Sequence, residues 1–245
     1  VKSVQSNHFA IGYERCQQLH RDFIRRLQEC DLPAPSVYSL SDLDLSVDGV
    51  MSCFESQLYS RHCDYMARRL KQDNHSYYTI ASAGHEFSAA IAMAFRKNDM
   101  AFLHYRSGAF MIQRAKYCPQ SNMVRDILAS LLASKLDPIA QGRHKVFGSL
   151  ELFVPPQTST IASHLPKAVG MAASIKRAQT LKLEAVVPYD SVVLCSFGDA
   201  SVNHATSLSA LNAAEWMCRH HYPLPVVFIC EDNGIGVSVK RQMTG

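Results

Sequence analysis

Two polar tips end two apolar runs in this chain. Gly198-Asp199 closes the run Val192–Phe197, and Glu231-Asp232-Asn233-Gly234 closes the run Val226–Cys230. Asp199 and Asn233 are 34 positions apart, a length that fits one strand–helix–strand crossover. On adjacent parallel strands, spaced about 4.8 Å, both side chains would sit at the carboxyl ends, the edge where open α/β sheets bind ligands. A carboxylate and an amide carbonyl are hard oxygen donors suited to Mg²⁺ or Ca²⁺. Mg²⁺ completes its octahedron with phosphate oxygens and water. The pattern therefore points to a metal-bridged diphosphate, helped by backbone N–H donors of the helix that follows Asp199. Gly-Asp alone is the ordinary make-up of a turn and helix cap; the matched strand tips favour the metal.

The elements that must position these residues are legible as a βαβ unit. Both runs are nearly all apolar, as suits parallel strands covered on both faces. A helix is expected between them over Asn203–His220, with Leu208, Leu211, Ala214 and Trp216. Upstream, the pattern predicts helices over His85–Arg96, Ala109–Lys116, Met123–Lys135 and His164–Lys182, and a buried strand at Met100–Leu103. Gly170, Ala172, Ala173 and Ser174 would let the last of these helices pack closely, internally or in a dimer. Asp137–Pro156, rich in Gly, Pro and basic residues, reads as a loop. Nearer the N-terminus, helices are expected over Tyr13–Cys30 and Met51–Lys71, separated by Leu32-Pro33-Ala34-Pro35 and a Ser/Asp-rich stretch. In the second of these, Phe54, Leu58, Met66 and Leu70 form the apolar side, and Arg61, Arg68, Arg69 and Lys71 face water. The expected organisation is an N-terminal helical extension and linker over residues 1–76 and a diphosphate-binding domain over 77–245. The expected fold class is α/β, a mostly parallel sheet flanked by helices.

Composition narrows the classes. The 245 residues are 47% hydrophobic and 19% charged, with a net charge of +4, which suits a globular chain with a large core and not a disordered one. No basic run concentrates the charge, so nothing points to nucleic acid or a membrane surface as partner, and no apolar stretch reaches the roughly 18 residues of a membrane span. The eight cysteines contain no zinc-type pair, and Cys195 and Cys230 sit in apolar runs where buried thiols are common. Reduced cysteines suit a cytoplasm-like compartment.

In combination the motifs resemble a known family. Gly198-Asp199 followed by Asp232-Asn233 resembles the thiamine diphosphate motif, which runs from Gly-Asp-Gly to Asn-Asn across one crossover. Gly84-His85-Glu86, His104 through Gly108, Gln157 through Gly170, Phe197 through Ala200 and Cys230 through Ser238 follow the order found in the α-type, diphosphate-binding part of the decarboxylating component of 2-oxo acid dehydrogenase complexes. The likeness covers about residues 77–240. It implies an oxidoreductase part that decarboxylates a 2-oxo acid on thiamine diphosphate and passes the acyl group to a lipoyl-bearing acyltransferase. Its cofactors would be thiamine diphosphate and Mg²⁺, with K⁺ in some relatives, and its location the cytoplasm, or the mitochondrial matrix in a eukaryote. Carried over by position, Asp199, Asn233 and the backbone carbonyl of Ile235 match the Mg²⁺ ligands. Tyr105 and Arg106 match the pair that meets the diphosphate, with Gly198 and Ala200 flanking the motif. Ser159 and Ile161 match positions around the pyrimidine, Ile161 as the apolar prop. Thr158, Ser163 and His164 fall where K⁺ binds, though an imidazole is a poor match to an oxygen ligand.

The sequence also departs from the family pattern. Ala200 replaces a Gly, and Asp232 replaces an Asn. Glu231 stands where some relatives place an Arg on the diphosphate. A carboxylate there would repel the phosphates, so Glu231 must be turned away from them or that interaction must be missing; Arg143 or Lys145 could supply the charge. Among the histidines in or beside the matching stretches (His85, His104, His144, His164 and His204), His104 and His144 are expected to face the substrate cavity as proton handlers. His220 and His221 are expected in solvent, and Tyr77 and Tyr78 in packing. The family's pyrimidine-activating Glu comes from a second domain or β-type subunit, and Glu86 is not its match. The chain ends at Gly245, soon after the motif, so a fragment or one half of a shared site is expected, part of a homo- or hetero-oligomer and poorly active alone. Competing readings are a transketolase-like or acetoin-type thiamine enzyme and a non-catalytic scaffold half with a decayed site. A nucleotide-binding dehydrogenase would want a Gly-x-Gly-x-x-Gly turn, which is absent.

Overall fold

The structure, a computed structural model, describes residues 17–77, 79–143, 146–236 and 239–240. The chain divides into two compact units, Val1–Met51 and Ser52–Gly245. In the first unit, helix α1 spans residues 17–28, and its apolar Leu19, Phe23, Ile24 and Leu27 are exposed.

Helix α2, Val47–Gln72, straddles the division. Its buried face is not the expected one. Cys53, Ser56, Ser60, Cys63, Asp64 and Ala67 are buried, whereas Phe54 and Met66 are exposed. Small residues let this helix approach closely. A Cβ on Gly108 would sit 2.7 Å from Ser82 Oγ and 3.3 Å from Ser60 Oγ, so a larger residue there would have to displace the Ser82 hydroxyl. Side-chain bonds then replace apolar packing: Ser56 Oγ donates to Gln113 Oε1 (2.6 Å), and Ser82 N donates to Asp64 Oδ1 (2.9 Å). Arg61 does not simply face water; its Nε donates to Glu86 Oε1 at 2.7 Å.

The α/β unit is built on a three-stranded sheet of order β1-β4-β5, parallel throughout. Its strands are β1 (Ala101–Phe102), β4 (Val193–Gly198) and β5 (Val226–Glu231). Alternation along β4 divides the core, because successive side chains point to opposite faces. Leu194 joins Ala101, Leu103, Phe110 and Met111 on one face, beside helix α4 (Gly108–Ala115) and against Val124 and Ile127 of α5 (Met123–Leu131). Val193, Cys195 and Phe197 join Phe102, Leu165, Val169, Ala172 and Ile175 on the other, under α6 (Leu165–Leu181) and α7 (Ala205–Arg219). Each large side chain so buried contributes about 2 kcal/mol. A short helix α3 (Ser88–Ala94) packs on α4. Pro166 in the first turn of α6 starts that helix without losing a bond.

Several expectations change. The loop expected at Asp137–Pro156 contains β2 (Val146–Ser149), and with β3 (Val154–Thr158) it forms an antiparallel pair with a register shift between Phe147 and Ser149. Gly148 and Pro156 read as breakers, yet a Cβ at Gly148 would meet Pro156 Cα at 3.0 Å, so glycine permits the pairing, and proline is tolerated at a sheet edge. β5 is less covered than β4: Val227 is exposed, and so is Cys230. Tyr77 is exposed and not packed, and Tyr78 lies outside the described residues. Gly170 and Ser174 face outward, and only Ala172 of that small-residue group is buried. His220 and His221 are exposed. Past β5 come the short strands β6 (Ile235–Gly236) and β7 (Val239–Lys240), paired antiparallel. Among the described residues no helix is long and apolar enough to cross a membrane.

Candidate functional site

β4 and β5 run in parallel register to their ends, with Gly198 opposite Glu231. Asp199 and Asn233 therefore follow neighbouring strand tips on the same edge of the sheet. Asp199 opens a 3-10 turn, Asp199–Ser201, and is 9% exposed. Ser201 Oγ donates to the Gly198 carbonyl (2.7 Å) and Ser207 Oγ to the Ser201 carbonyl (2.6 Å), which locks the turn onto α7. After β5, Gly234 adopts φ +71°, a left-handed conformation suited to glycine, and its N–H donates to Asp232 Oδ1 (3.1 Å).

A third wall follows β1. His104 N donates to Ser196 Oγ (2.9 Å), which holds this segment beside β4. The His104 ring lies so close to Gly198 that a Cβ there would meet its Nε2 at 3.3 Å. Tyr105 packs on His104 (ring centroids 4.1 Å apart), and the Arg106 guanidinium carbon sits 5.0 Å from the Tyr105 centroid. Arg106 Nη1 donates to the Ala81 carbonyl (2.6 Å), leaving other guanidinium donors for a ligand. The fourth wall is the β3–α6 connection, Gln157 and Thr160 through Ala162. Ala162 holds φ +62° while buried, a strained backbone of the kind that clusters at sites.

These walls enclose a cleft of about 230 Å³. Of the residues singled out from sequence, His104, Tyr105, Arg106, Ile161, Gly198, Asp199, Ala200 and Asn233 line it. Ile161 does so while 45% exposed. Ser159 does not line the cleft and is half-buried. Ile235 begins β6, next to the cleft-lining Gly236. His144 and Lys145 lie outside the described residues, and Arg143 is exposed. His164 also lines the cleft; buried, it donates from Nε2 to the Ser196 carbonyl (2.7 Å) and so ties α6 to β4. His204 caps α7, accepting from Thr206 N at 3.2 Å. Glu86 is spent on Arg61 and on the Gly84 N–H (2.8 Å).

Glu231 is turned away from the cleft edge. Its carboxylate takes the hydrogen bond of His85 Nδ1 and lies 4.0 Å from His104 Nδ1. Burial pushes the Glu231 carboxyl up, but His85, His104 and Ser196 together outweigh burial and hold it below its ordinary range. His85 Nε2 in turn meets Asn233 Nδ2 at 3.4 Å. The amide nitrogen donates, so the His85 proton sits on Nδ1 and faces Glu231. This chain orients the Asn233 amide with its nitrogen toward His85 and its carbonyl oxygen on the other arm. Burial, against the pull of Glu231, drops His104 to about 4. Its ring is therefore neutral near pH 7, able to give or take one hydrogen bond. The His85–Glu231 pair had no local signal, because its members lie 146 positions apart; the misfit of a carboxylate beside a diphosphate was the available hint.

The donor set fits the inferred ligand. A carboxylate and an amide oxygen at adjacent tips suit Mg²⁺, Arg106 suits a diphosphate, and the exposed Ile161 offers an apolar face. The cleft is smaller than the roughly 300–1,000 Å³ that encloses a whole drug-sized ligand.

The family profile of the dehydrogenase E1 component matches residues 55–245. The α2 subunit of mitochondrial 2-oxoisovalerate dehydrogenase from Arabidopsis thaliana is 28% identical over 176 residues, 71% of this chain and 32% of that protein. The mitochondrial pyruvate dehydrogenase E1 α subunit of Dictyostelium discoideum is 27% identical over 224 residues, 88% of this chain and 51% of that protein. The human mitochondrial 2-oxoisovalerate dehydrogenase α subunit is 23% identical over 188 residues, 76% of this chain and 34% of that protein. The chain spans about a third to a half of the length of these relatives.

Proposed function

The chain belongs to the dehydrogenase E1 component family, and from that premise we propose that it is the diphosphate-holding half of a 2-oxo acid dehydrogenase. Membership implies thiamine diphosphate. In this reading the protein decarboxylates a 2-oxo acid, completes its site with a pyrimidine-binding β-type domain or subunit, and hands the acyl group to a lipoyl-bearing acyltransferase. The relatives' names, α subunits of mitochondrial enzymes, support a hetero-oligomer and, in a eukaryote, the mitochondrial matrix.

The observation that carries the proposal is the placement of Asp199 and Asn233 beyond adjacent parallel strand ends, over a cleft that also takes in Tyr105 and Arg106. Asp199 and Asn233 hold Mg²⁺, with the Ile235 carbonyl as third ligand. Arg106 and Tyr105 receive the diphosphate, and Ile161 supports the apolar part of the cofactor. Thiamine diphosphate, when bound, supplies the nucleophilic carbon and the electron sink for decarboxylation. The chain's own work is to bind, orient and exclude water. His104 gives a neutral hydrogen-bonding group at the cleft wall, beside Gly198. The turning of Glu231 onto His85 and away from the cleft weakens the like-charge argument for a decayed site.

Calorimetry on the full-length protein with Mg²⁺ and thiamine diphosphate tests the reading. Wild type is expected to bind, with Mg²⁺ required, and Asp199→Ala is expected to lose binding. A wild type that takes up no cofactor would overturn it.

A further inference from the structure

We propose that His85, His104 and Glu231 form a site for a divalent transition metal of the Zn²⁺ or Co²⁺ class, separate from the Mg²⁺ ligands Asp199 and Asn233. One ligand atom from each of the three lies within 4.8 Å of the others. Two of the close approaches identify these atoms. His85 Nδ1 faces Glu231, and His104 Nδ1 is 4.0 Å from Glu231 Oε2. The two rings are stacked, 5.2 Å between centroids and 26° between planes, so both Nδ1 atoms address the same carboxylate. Bonds of about 2.0–2.1 Å to nitrogen and oxygen in a tetrahedral site set the ligands roughly 3.4 Å apart. Closing the widest separation therefore needs a shift on the order of 1 Å.

His104 supplies a second, independent observation. It is 6% exposed, and its Nδ1 has no hydrogen-bond partner. A buried imidazole nitrogen left unbonded is costly, and here it points at a carboxylate too far away to bond directly. A metal ion between them would satisfy both. Two imidazole nitrogens and one carboxylate oxygen are a borderline set, the chemistry of zinc and not of Mg²⁺. The outer partners also fit a metal site. His85 Nε2 meets Asn233 Nδ2 (3.4 Å), and Ser196 Oγ takes the His104 backbone N–H (2.9 Å) while leaning on Glu231. Such partners fix ring orientation. Binding through His85 Nδ1 would move the single ring proton to Nε2, where the Asn233 amide, turned over, would accept it through its oxygen. A water molecule from the adjoining cleft would take the fourth position.

The test is a titration of the metal-stripped full-length protein with Co²⁺ alone, in excess Mg²⁺ to fill the hard-oxygen positions. The expected result is one equivalent of Co²⁺ with visible ligand-field absorption, no sulfur-to-metal charge-transfer band, and displacement by Zn²⁺. Glu231→Gln and His104→Ala should each weaken Co²⁺ at least about tenfold, and His220→Ala, at the exposed end of α7, should leave it unchanged. Should either variant fail to fold, X-ray absorption on the wild type decides by itself: two imidazoles and an oxygen-rich shell support the site. Absence of Co²⁺ binding, sulfur in the shell, or binding that survives both substitutions would overturn it. None of these readouts depends on thiamine diphosphate, so the result stands apart from the proposed function.

Discussion

The two ends of the parallel sheet use buried charge in opposite ways. At the amino end, ahead of β1 and β4, Asp99 is saturated. Its Oδ1 accepts from Val192 N (2.9 Å) and Arg96 Nη2 (3.2 Å), and its Oδ2 from Arg96 N (2.9 Å). The fully buried Arg114 donates to the Asp99 carbonyl at 2.7 Å and lies over the Phe110 ring, 4.6 Å from its centroid. Arg96 reaches on to Asp190 Oδ2 (2.7 Å). These bonds join the two loops that feed the strands. Both ends hold buried atoms without a hydrogen bond, Arg114 Nε and Nη2 at the amino end and His104 Nδ1 at the carboxyl end, but at the carboxyl end Asp199 and the exposed Asn233 also face a cleft. The same fold thus spends polar burial on closure at one end and on ligand capacity at the other.

The comparison is sharpest if the ends can be damaged separately. Arg114→Met should cost the most stability, about 3–5 kcal/mol, because carbonyls and the Asp99 network lose a buried cation. Burial already lowers this guanidinium to about 10, so the site bears a penalty that only its bonds offset. Urea unfolding measures the loss, and the folded fraction should keep its cofactor affinity. Asp199→Ala should do the reverse. Its Mg²⁺-dependent thiamine diphosphate affinity should fall at least about 100-fold, near 3 kcal/mol, with stability changed by less than about 1 kcal/mol. If Arg114→Met abolishes binding in protein that remains folded, the two ends are not independent.

The carboxyl end was also the more legible one. β4, α7 and β5 announce themselves through nearly all-apolar runs and a crossover of fitting length, so the edge carrying Asp199 and Asn233 follows from spacing alone. Where close approach or long-range pairing decides, the pattern misleads. The face of α2 that packs is lined by Ser56, Ser60 and Asp64 and not by Phe54 and Met66, because Gly108 and Ser82 leave room only for small side chains. Pro155, Pro156 and Gly148 hide the β2–β3 hairpin. Cys230 lies in an apolar run yet is exposed, since β5 has a neighbour on one side only in the sheet described. The pairing of Glu231 with His85 is a fact of tertiary structure that no local window contains.

His104 links the carboxyl end to pH. Burial holds its imidazole at about 4, against an ordinary 6.5, with Glu231 pulling upward and His85, Arg106 and His164 pushing down. The unfolded chain takes up the proton first as pH falls, so the folded state binds fewer protons between 6.5 and about 4. Stability is then lost across that window, by about 3 kcal/mol in total, and is unaffected by this group above it. Glu231 acts lower: its depressed carboxyl contributes stability above 4.5 that is lost as pH falls through its folded value. Urea midpoints between about pH 7 and pH 4 should therefore slope downward. His104→Asn, which cannot titrate, should flatten the part above about pH 4.5. A slope unchanged in that variant would place the acid sensitivity at the other end of the sheet.

Ile161 gives the smallest and most selective effect. It is 45% exposed at the cleft, so truncation creates no cavity in the core and should change stability by less than about 0.5 kcal/mol. An exposed apolar side chain beside two hard-oxygen donors gains its value only when a ligand covers it. Ile161→Ala removes about three carbons of that apolar face, roughly 0.8 kcal/mol each when fully covered. With partial cover, thiamine diphosphate affinity should fall about tenfold, while Mg²⁺ remains required. Calorimetry at fixed Mg²⁺ reads the change. An affinity equal to wild type would mean that the cofactor's apolar part lies elsewhere, and that the β3–α6 connection is strained at Ala162 for a reason other than presenting this side chain.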